Sequence, residues 1–108
     1  MNLNEYQNES QRTAIYPLDR GIEYTALGLV SEAGEVAGKI KKVLRDKGGI
    51  FDAEAKQAIA DELGDTAWYV AALARELGFS LDAVCQRNLD KLASRAARNT
   101  LGGSGDVR

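Results

Sequence analysis

The chain has 108 residues, 16 acidic against 14 basic side chains for a net charge of −2, and 44% hydrophobic with 28% charged residues, the proportions of one ordinary globular domain. At this length association with other copies would help bury a core. The absence of histidine excludes histidine bases, histidine metal ligands and serine–histidine triads, leaving carboxylates for acid–base and cation chemistry. The slightly acidic balance argues against a nucleic-acid-binding surface.

Taken in order, the chain predicts four main helices with no strand-like alternation, hence an all-α domain of four-helix-bundle type over residues 1–98 and a glycine-rich tail over 99–108. The first helix, capped by Asn2 or Asn4, should reach about Ile15 with Leu3, Tyr6 and Ser10 on one side. Its weak amphipathicity places it on the rest of the bundle, across a mouth where Tyr6, Gln7 and Asn8 could touch a base, although packing is the simpler role for Tyr6. Tyr16 to Gly21 is the connection, because Pro17 disfavours helix before it and Asp19 can cap the next helix.

A long helix is then predicted from Ile22 to Arg45, with an apolar stripe of Ile22, Ala26, Leu29, Ala33, Val36, Ile40 and Val43. Gly28, Gly34 and Gly38 interrupt it at a cost of about 1 kcal/mol each relative to alanine, which suggests close approach by another backbone or a ligand. Lys39, Lys41, Lys42 and Arg45 suit the negative end of the helix dipole. Lys39 lies on the acidic side of the wheel, where it can pair locally or reach a phosphate.

Residues 46–52 stop one helix and start the next, with glycines for a left-handed cap and Asp52 for an N-cap. They lack the Gly-Lys-Ser/Thr of a phosphate loop. The third helix runs to Leu77 with a stripe of Ala55, Ile59, Leu63, Val70, Leu73 and Leu77, and its reverse side carries Ala60, Gly64, Ala67, Trp68 and Ala71. A helix apolar on two sides is buried on two sides, either by another subunit or by the first or last helix. Ser80 caps the last helix, Leu81 to Arg98; Leu81, Cys85, Leu89, Leu92 and Ala96 form its stripe, with the lone cysteine as a packing residue. Asn88, Lys91, Arg95 and Arg98 line one edge, which reads as a basic helix end or as a strip of phosphate donors. The tail after Asn99 is expected to fray, or to close over a ligand and deliver Arg108. No apolar run has the length of a membrane span or a signal segment, so a cytoplasmic protein with no membrane partner is expected.

Two acidic steps remain: Glu32 with Glu35, and Glu62 with Asp65. Three residues apart on a helix, each pair shares one wall with Cβ atoms about 5–6 Å apart. Either pair alone reads first as a solvated face or as a partner for nearby lysines. Together they sit alike, Glu32 and Glu62 at the edge of an apolar stripe and Glu35 and Asp65 about 60° further out. Helices packed through those stripes would bring the edges together half-buried, where unpaired acids are costly without a cation. Four carboxylates suit magnesium, which takes hard oxygen ligands and keeps positions open for substrate phosphates.

Glu32-x-x-Glu35 followed by Glu62-x-x-Asp65 resembles the metal-binding signature of the all-α nucleoside triphosphate pyrophosphohydrolases, and the chain is similar to their short MazG-like branch. The likeness extends over Tyr6-Gln7, Leu27-Gly28-Leu29, Trp68-Tyr69 and Asn88-Leu89-x-Lys91-Leu92-x-x-Arg95; Ser31 departs from it where many relatives have another glutamate. The resemblance implies magnesium, or manganese in its place, on Glu32, Glu35, Glu62 and Asp65, with hydrolysis of a nucleoside triphosphate to the monophosphate and pyrophosphate. Glu35, by its outer position, is a better base for the water than Glu32. Asn88, Lys91 and Arg95 fall on phosphate-side positions of the family. Tyr6 and Gln7 are left to read the base, purine (dGTP or GTP) before pyrimidine. The resemblance also implies a homo-oligomer, at least a dimer and as in similar proteins a tetramer (dimer of dimers). A dUTP- or dCTP-type diphosphatase of the same superfamily and a non-enzymatic helical interaction module are the alternatives; a di-iron carboxylate bundle lacks its histidines.

Overall fold

The structure, a computed structural model, describes residues 1–105, and these form helices with no strand among them. They are α1 (Leu3–Ser10), α2 (Gly21–Asp46), α3 (Ala53–Glu76) and α4 (Leu81–Ala97). Arg108, expected to be delivered by the tail, lies outside the described residues.

Local chemistry sets the ends. The Asn2 side chain accepts from Glu5 N–H, Asp52 from Ala55 N–H and Ser80 from Ala83 N–H, each satisfying a donor that the first helical turn leaves open. Gly48, Gly49 and Gly78 take positive φ after α2 and α3, the left-handed conformation that closes a helix end at no steric cost. Two expected ends differ. The first helix stops at Ser10 and continues as a 3-10 turn over Gln11–Thr13. Asp19 does not cap α2; it falls in a second 3-10 turn, Leu18–Arg20. The Glu76 carboxylate instead lies against Gly21, where any Cβ would overlap it, and accepts a hydrogen bond from Tyr16 Oη. A negative charge is favoured at that end of the helix by its dipole.

α2 and α3 form an antiparallel hairpin whose register is marked by facing pairs. Gly21 meets Glu76, Gly28 lies under the Tyr69 ring, and Lys39 and Val43 line a small cleft with Ala55 and Ala58. The inner seam therefore runs through Thr25, Gly28, Glu32 and Val43 on α2, with Thr25 fully buried, and through Ala55, Glu62, Tyr69 and Ala72 on α3. This corrects the stripes read from hydrophobicity: Ile22, Leu63, Val70 and Leu77 are exposed, Leu63 at 55%. Small residues let side chains close in at points of the seam, as Gly28 does for the Tyr69 ring, while Val43 is buried there and Leu29, Val36, Ile59 and Leu73 are half-buried.

α1 lies across one end of the hairpin. Gln7 holds it there: Nε2 donates to Ala71 O and Phe79 O, Oε1 accepts from Leu81 N–H, and the side chain is 6% exposed. Trp68 Nε1 donates to Ser10 O and Thr13 Oγ1, so the reverse side of α3 is partly covered by the first helix, while Ala60, Gly64 and Ala67 stay open. α4 extends from the turn after α3 and packs on α1 and α3. Its stripe is buried only at its start: Leu81 is in the core, Cys85 is half-buried, and Leu89, at 59%, and Leu92 are exposed. The radius of gyration is 16.7 Å, against about 13 Å for a compact domain of this size.

Candidate active site

The hairpin seam brings Glu32, Glu62 and Asp65 together, with one carboxylate oxygen from each inside a group no wider than 4.8 Å. Glu32 stands one turn beyond Gly28, and Asp65 one turn before Tyr69; because Gly28 and Tyr69 face each other across an antiparallel pair, the acids must face each other too. Glu32 and Glu62 are half-buried and Asp65 is exposed. The Glu32 carboxyl is held above the usual carboxylate range, first by desolvation, then by the negative charges of Asp65, Glu62 and Glu35 and by a hydrogen bond with Glu62. Converging carboxylates with no cation among the side chains they face are a repulsive arrangement. The donor set is all oxygen, which suits a hard divalent cation such as magnesium or manganese.

Glu35 lies outside that group, on the exposed side of α2, near enough for its charge to act on Glu32. The Tyr6 hydroxyl is pushed up first by burial and then by the negative charge of Asp65. Gln7, expected to read a base, turns into the chain: its amide spends both N–H donors and one acceptor position on backbone groups of Ala71, Phe79 and Leu81, which is the arrangement of a clamp.

Asn88, Lys91 and Arg95 are on α4, away from the acid seam. Lys91 lines a shallow surface with Ala83, Gln86, Arg87 and Asp90, Asn88 is exposed, and Arg95 is 4% exposed with Nη2 donating to Gly105 O. The tail thus folds back on α4 as far as Gly105, aided by Thr100 N–H donating to Arg95 O and by Asn99 at positive φ.

Sequence reading passed over the wall of the site. A cleft of about 310 Å³ opens beside the acids, lined by Thr13, Glu32, Asp65, Trp68 and Tyr69. Trp68 and Tyr69 pack edge to face with centroids 4.9 Å apart, and Tyr16 stacks on Tyr24 at 5.3 Å behind them. The signal was present in the spacing: positions three and four residues after Asp65 share its helix wall. Gly28, singled out as a point of close approach, is that point for the Tyr69 ring, whereas a Cβ at Gly34 or Gly38 would meet nothing.

No helix among the described residues is long and apolar enough to cross a membrane. The model of the MazG nucleotide pyrophosphohydrolase domain matches residues 20–99, which span the α2–α3 hairpin and α4. A protein of Mycobacterium phage L5, named only "Gene 37 protein", is 47% identical over an alignment covering all of both chains. No solved structure matches significantly. The match takes in both acidic steps and the helix bearing Asn88, Lys91 and Arg95, and this chain belongs to the MazG nucleotide pyrophosphohydrolase family.

Proposed function

We propose that this protein hydrolyses nucleoside triphosphates to the monophosphate and pyrophosphate in a reaction that needs magnesium. The observation that carries the reading is the convergence of Glu32, Glu62 and Asp65 in the seam of a MazG domain. These three residues hold the cation, which supplies neutralisation of phosphate charge and acidification of water. Glu35, exposed at the edge of the group, completes the donor set from outside or orients the attacking water and takes its proton. Asn88 and Lys91, the accessible members of the α4 strip, stabilise charge that develops on the phosphates, and Arg95, buried under the tail at Gly105, joins them only when that contact opens. An aromatic-walled cleft favours a purine, with dGTP or GTP first, because the larger ring offers more stacking area.

The working form is a homo-oligomer, a dimer at least and a tetramer (dimer of dimers) as the full assembly. Its support is surface. The chain exposes 7622 Å², against about 5,900 Å² for a compact monomer of this length, and the difference is of the order that a stable interface buries. Apolar side chains are among those left uncovered: Leu27 is 72% exposed, and Val30 on α2, Leu63 on α3 and Leu89 and Leu92 on α4 are also exposed. Covering α4 against a second copy is what would bring phosphate donors and acid seam into one site.

A panel of nucleotides with magnesium, scored separately for pyrophosphate, monophosphate and orthophosphate, tests the reaction. Pyrophosphate formation from several triphosphates, lost in Glu62→Gln, is the expected result. No turnover of any nucleotide by a folded oligomer would leave the interaction-module reading in its place.

A further inference from the structure

Resting on that reading, we propose that the substrate lies along the α2–α3 seam in one direction, with its nucleoside against Trp68 and Tyr69 and its terminal phosphate toward Lys39. The antiparallel register puts these groups on opposite sides of the acids. On α3, Trp68 and Tyr69 follow Asp65 by about 5–6 Å along the axis; on α2, which runs the other way, Lys39 follows Glu32 by about 10 Å. Side chains on a helix lean toward its N-terminus. On these two helices that tilt carries the aromatic rings and the lysine toward the acids from opposite ends.

Each end has the chemistry of the group assigned to it. The aromatic end is a cleft continuous with Glu32 and Asp65, and the Trp68 ring is fixed by its two hydrogen bonds to Ser10 and Thr13, so its face is preset for stacking. Thr13 stands beside it as a polar group at the rim. At the other end a cleft of about 140 Å³ is lined by Lys39, Lys42, Asp46, Lys47 and Glu54 over Val43, Ala55 and Ala58. Asp46 is paired with Arg45 at 2.7 Å and Lys47 with Asp52 at 3.4 Å. Lys39 forms no ion pair among the described residues and is half-buried in the seam. A lysine in that cleft, two turns along α2 from Glu32, suits the outermost charge of a triphosphate that the acids would hold through a cation.

The chain has a single tryptophan, so its fluorescence reports the nucleoside end alone. The full chain with magnesium is titrated with an α,β-imido analogue of GTP, with GMP and with inorganic tripolyphosphate, following emission and, in parallel, heat. The analogue and GMP should quench Trp68, and tripolyphosphate should bind without comparable quenching. Lys39→Met should weaken the analogue and tripolyphosphate about tenfold or more while leaving GMP unchanged, and Lys39→Arg should restore most of the loss. Equal quenching by tripolyphosphate, or a Lys39→Met chain whose affinities for triphosphate and monophosphate change alike or not at all, overturns the orientation. Wild-type protein that hydrolyses nucleotides but fails these comparisons sinks the orientation alone; wild-type protein that neither binds nor hydrolyses them sinks the parent reading as well.

Discussion

The α2–α3 hairpin and α4 are built on opposite terms. The hairpin closes on small residues and on a tyrosine laid over Gly28, and the carboxylates are held at fixed positions in its seam. α4 has a well-formed cap and is anchored at its start, where Leu81 is buried and its first turn bonds to Gln7 and Asn4 of α1, but further along Leu89 and Leu92 are exposed beside Asn88 and Lys91. The difference teaches that the acidic cluster is assembled within one chain, whereas under the proposed function the part played by Asn88 and Lys91 depends on what α4 packs against.

The largest effect that separates the two regions is on turnover. Glu62→Gln or Asp65→Asn should lower kcat/KM for every nucleotide by about a hundredfold or more, since a lost ligand removes charge stabilisation worth several kcal/mol, with helicity unchanged by circular dichroism. Lys91→Ala should slow all nucleotides alike by about tenfold, as removal of a single phosphate contact does. Equal losses for the two kinds of variant would erase the distinction between hairpin and α4.

Assembly gives the next largest effect. Leu89→Asp places a charge in the exposed stripe of α4, and light scattering should then show a smaller species than wild type at the same micromolar concentration. Wild-type protein that is monomeric across that range would show that the stripe needs no partner.

Gln7→Ala sharpens the comparison from the side of α1. It strands buried backbone groups of Ala71, Phe79 and Leu81, which should cost about 2–3 kcal/mol and lower Tm by roughly 10 °C or more, while the ratio of kcat/KM between GTP and dUTP stays as in wild type. A changed ratio with unchanged Tm would return Gln7 to base recognition.

The smallest effect is one of sign. The Glu32 carboxyl is raised in the folded chain, so folding favours its protonated form; that contribution is complete below its ordinary pKa and is lost as pH rises through the folded value. At neutral pH without divalent ions Glu32 is therefore a liability, and Glu32→Gln should raise Tm slightly in EDTA. The same variant should lose most of the stabilisation that magnesium gives wild type. A variant less stable than wild type in EDTA, and still stabilised by magnesium, would remove Glu32 from the centre.

The helices and the starts of α3 and α4 could be read from the sequence because caps are local: Asp52 and Ser80 act on the residues beside them, whereas Asp19 fails as a cap because it is taken up in a 3-10 turn. The acidic pairs were found because their three-residue spacing is also local. What escaped was the choice of packing face. The apolar stripe of α2 was right at Val43, which is buried, and in part at Leu29 and Val36, but Ile22 and Ala33 are exposed and Thr25, Gly28 and Glu32 stand in the seam, because Gly28 admits the Tyr69 ring there. Gln7 escaped for a related reason: an amide on a short polar helix looks like surface until the turn at Phe79 supplies the backbone groups it binds. Trp68 and Tyr69 were noticed as a motif, but their place in the cleft depends on the register of a partner helix.

The central claim is that the carboxylate seam of the hairpin performs cation-dependent cleavage of a triphosphate into two defined products. Phosphorus NMR of GTP incubated with the wild-type protein, with and without magnesium and beside Asp65→Asn, tests it most directly. The account predicts growth of GMP and pyrophosphate signals in equal amounts, only with magnesium and only for wild type. Orthophosphate with GDP as the products, or the same pyrophosphate signal from Asp65→Asn, would contradict it.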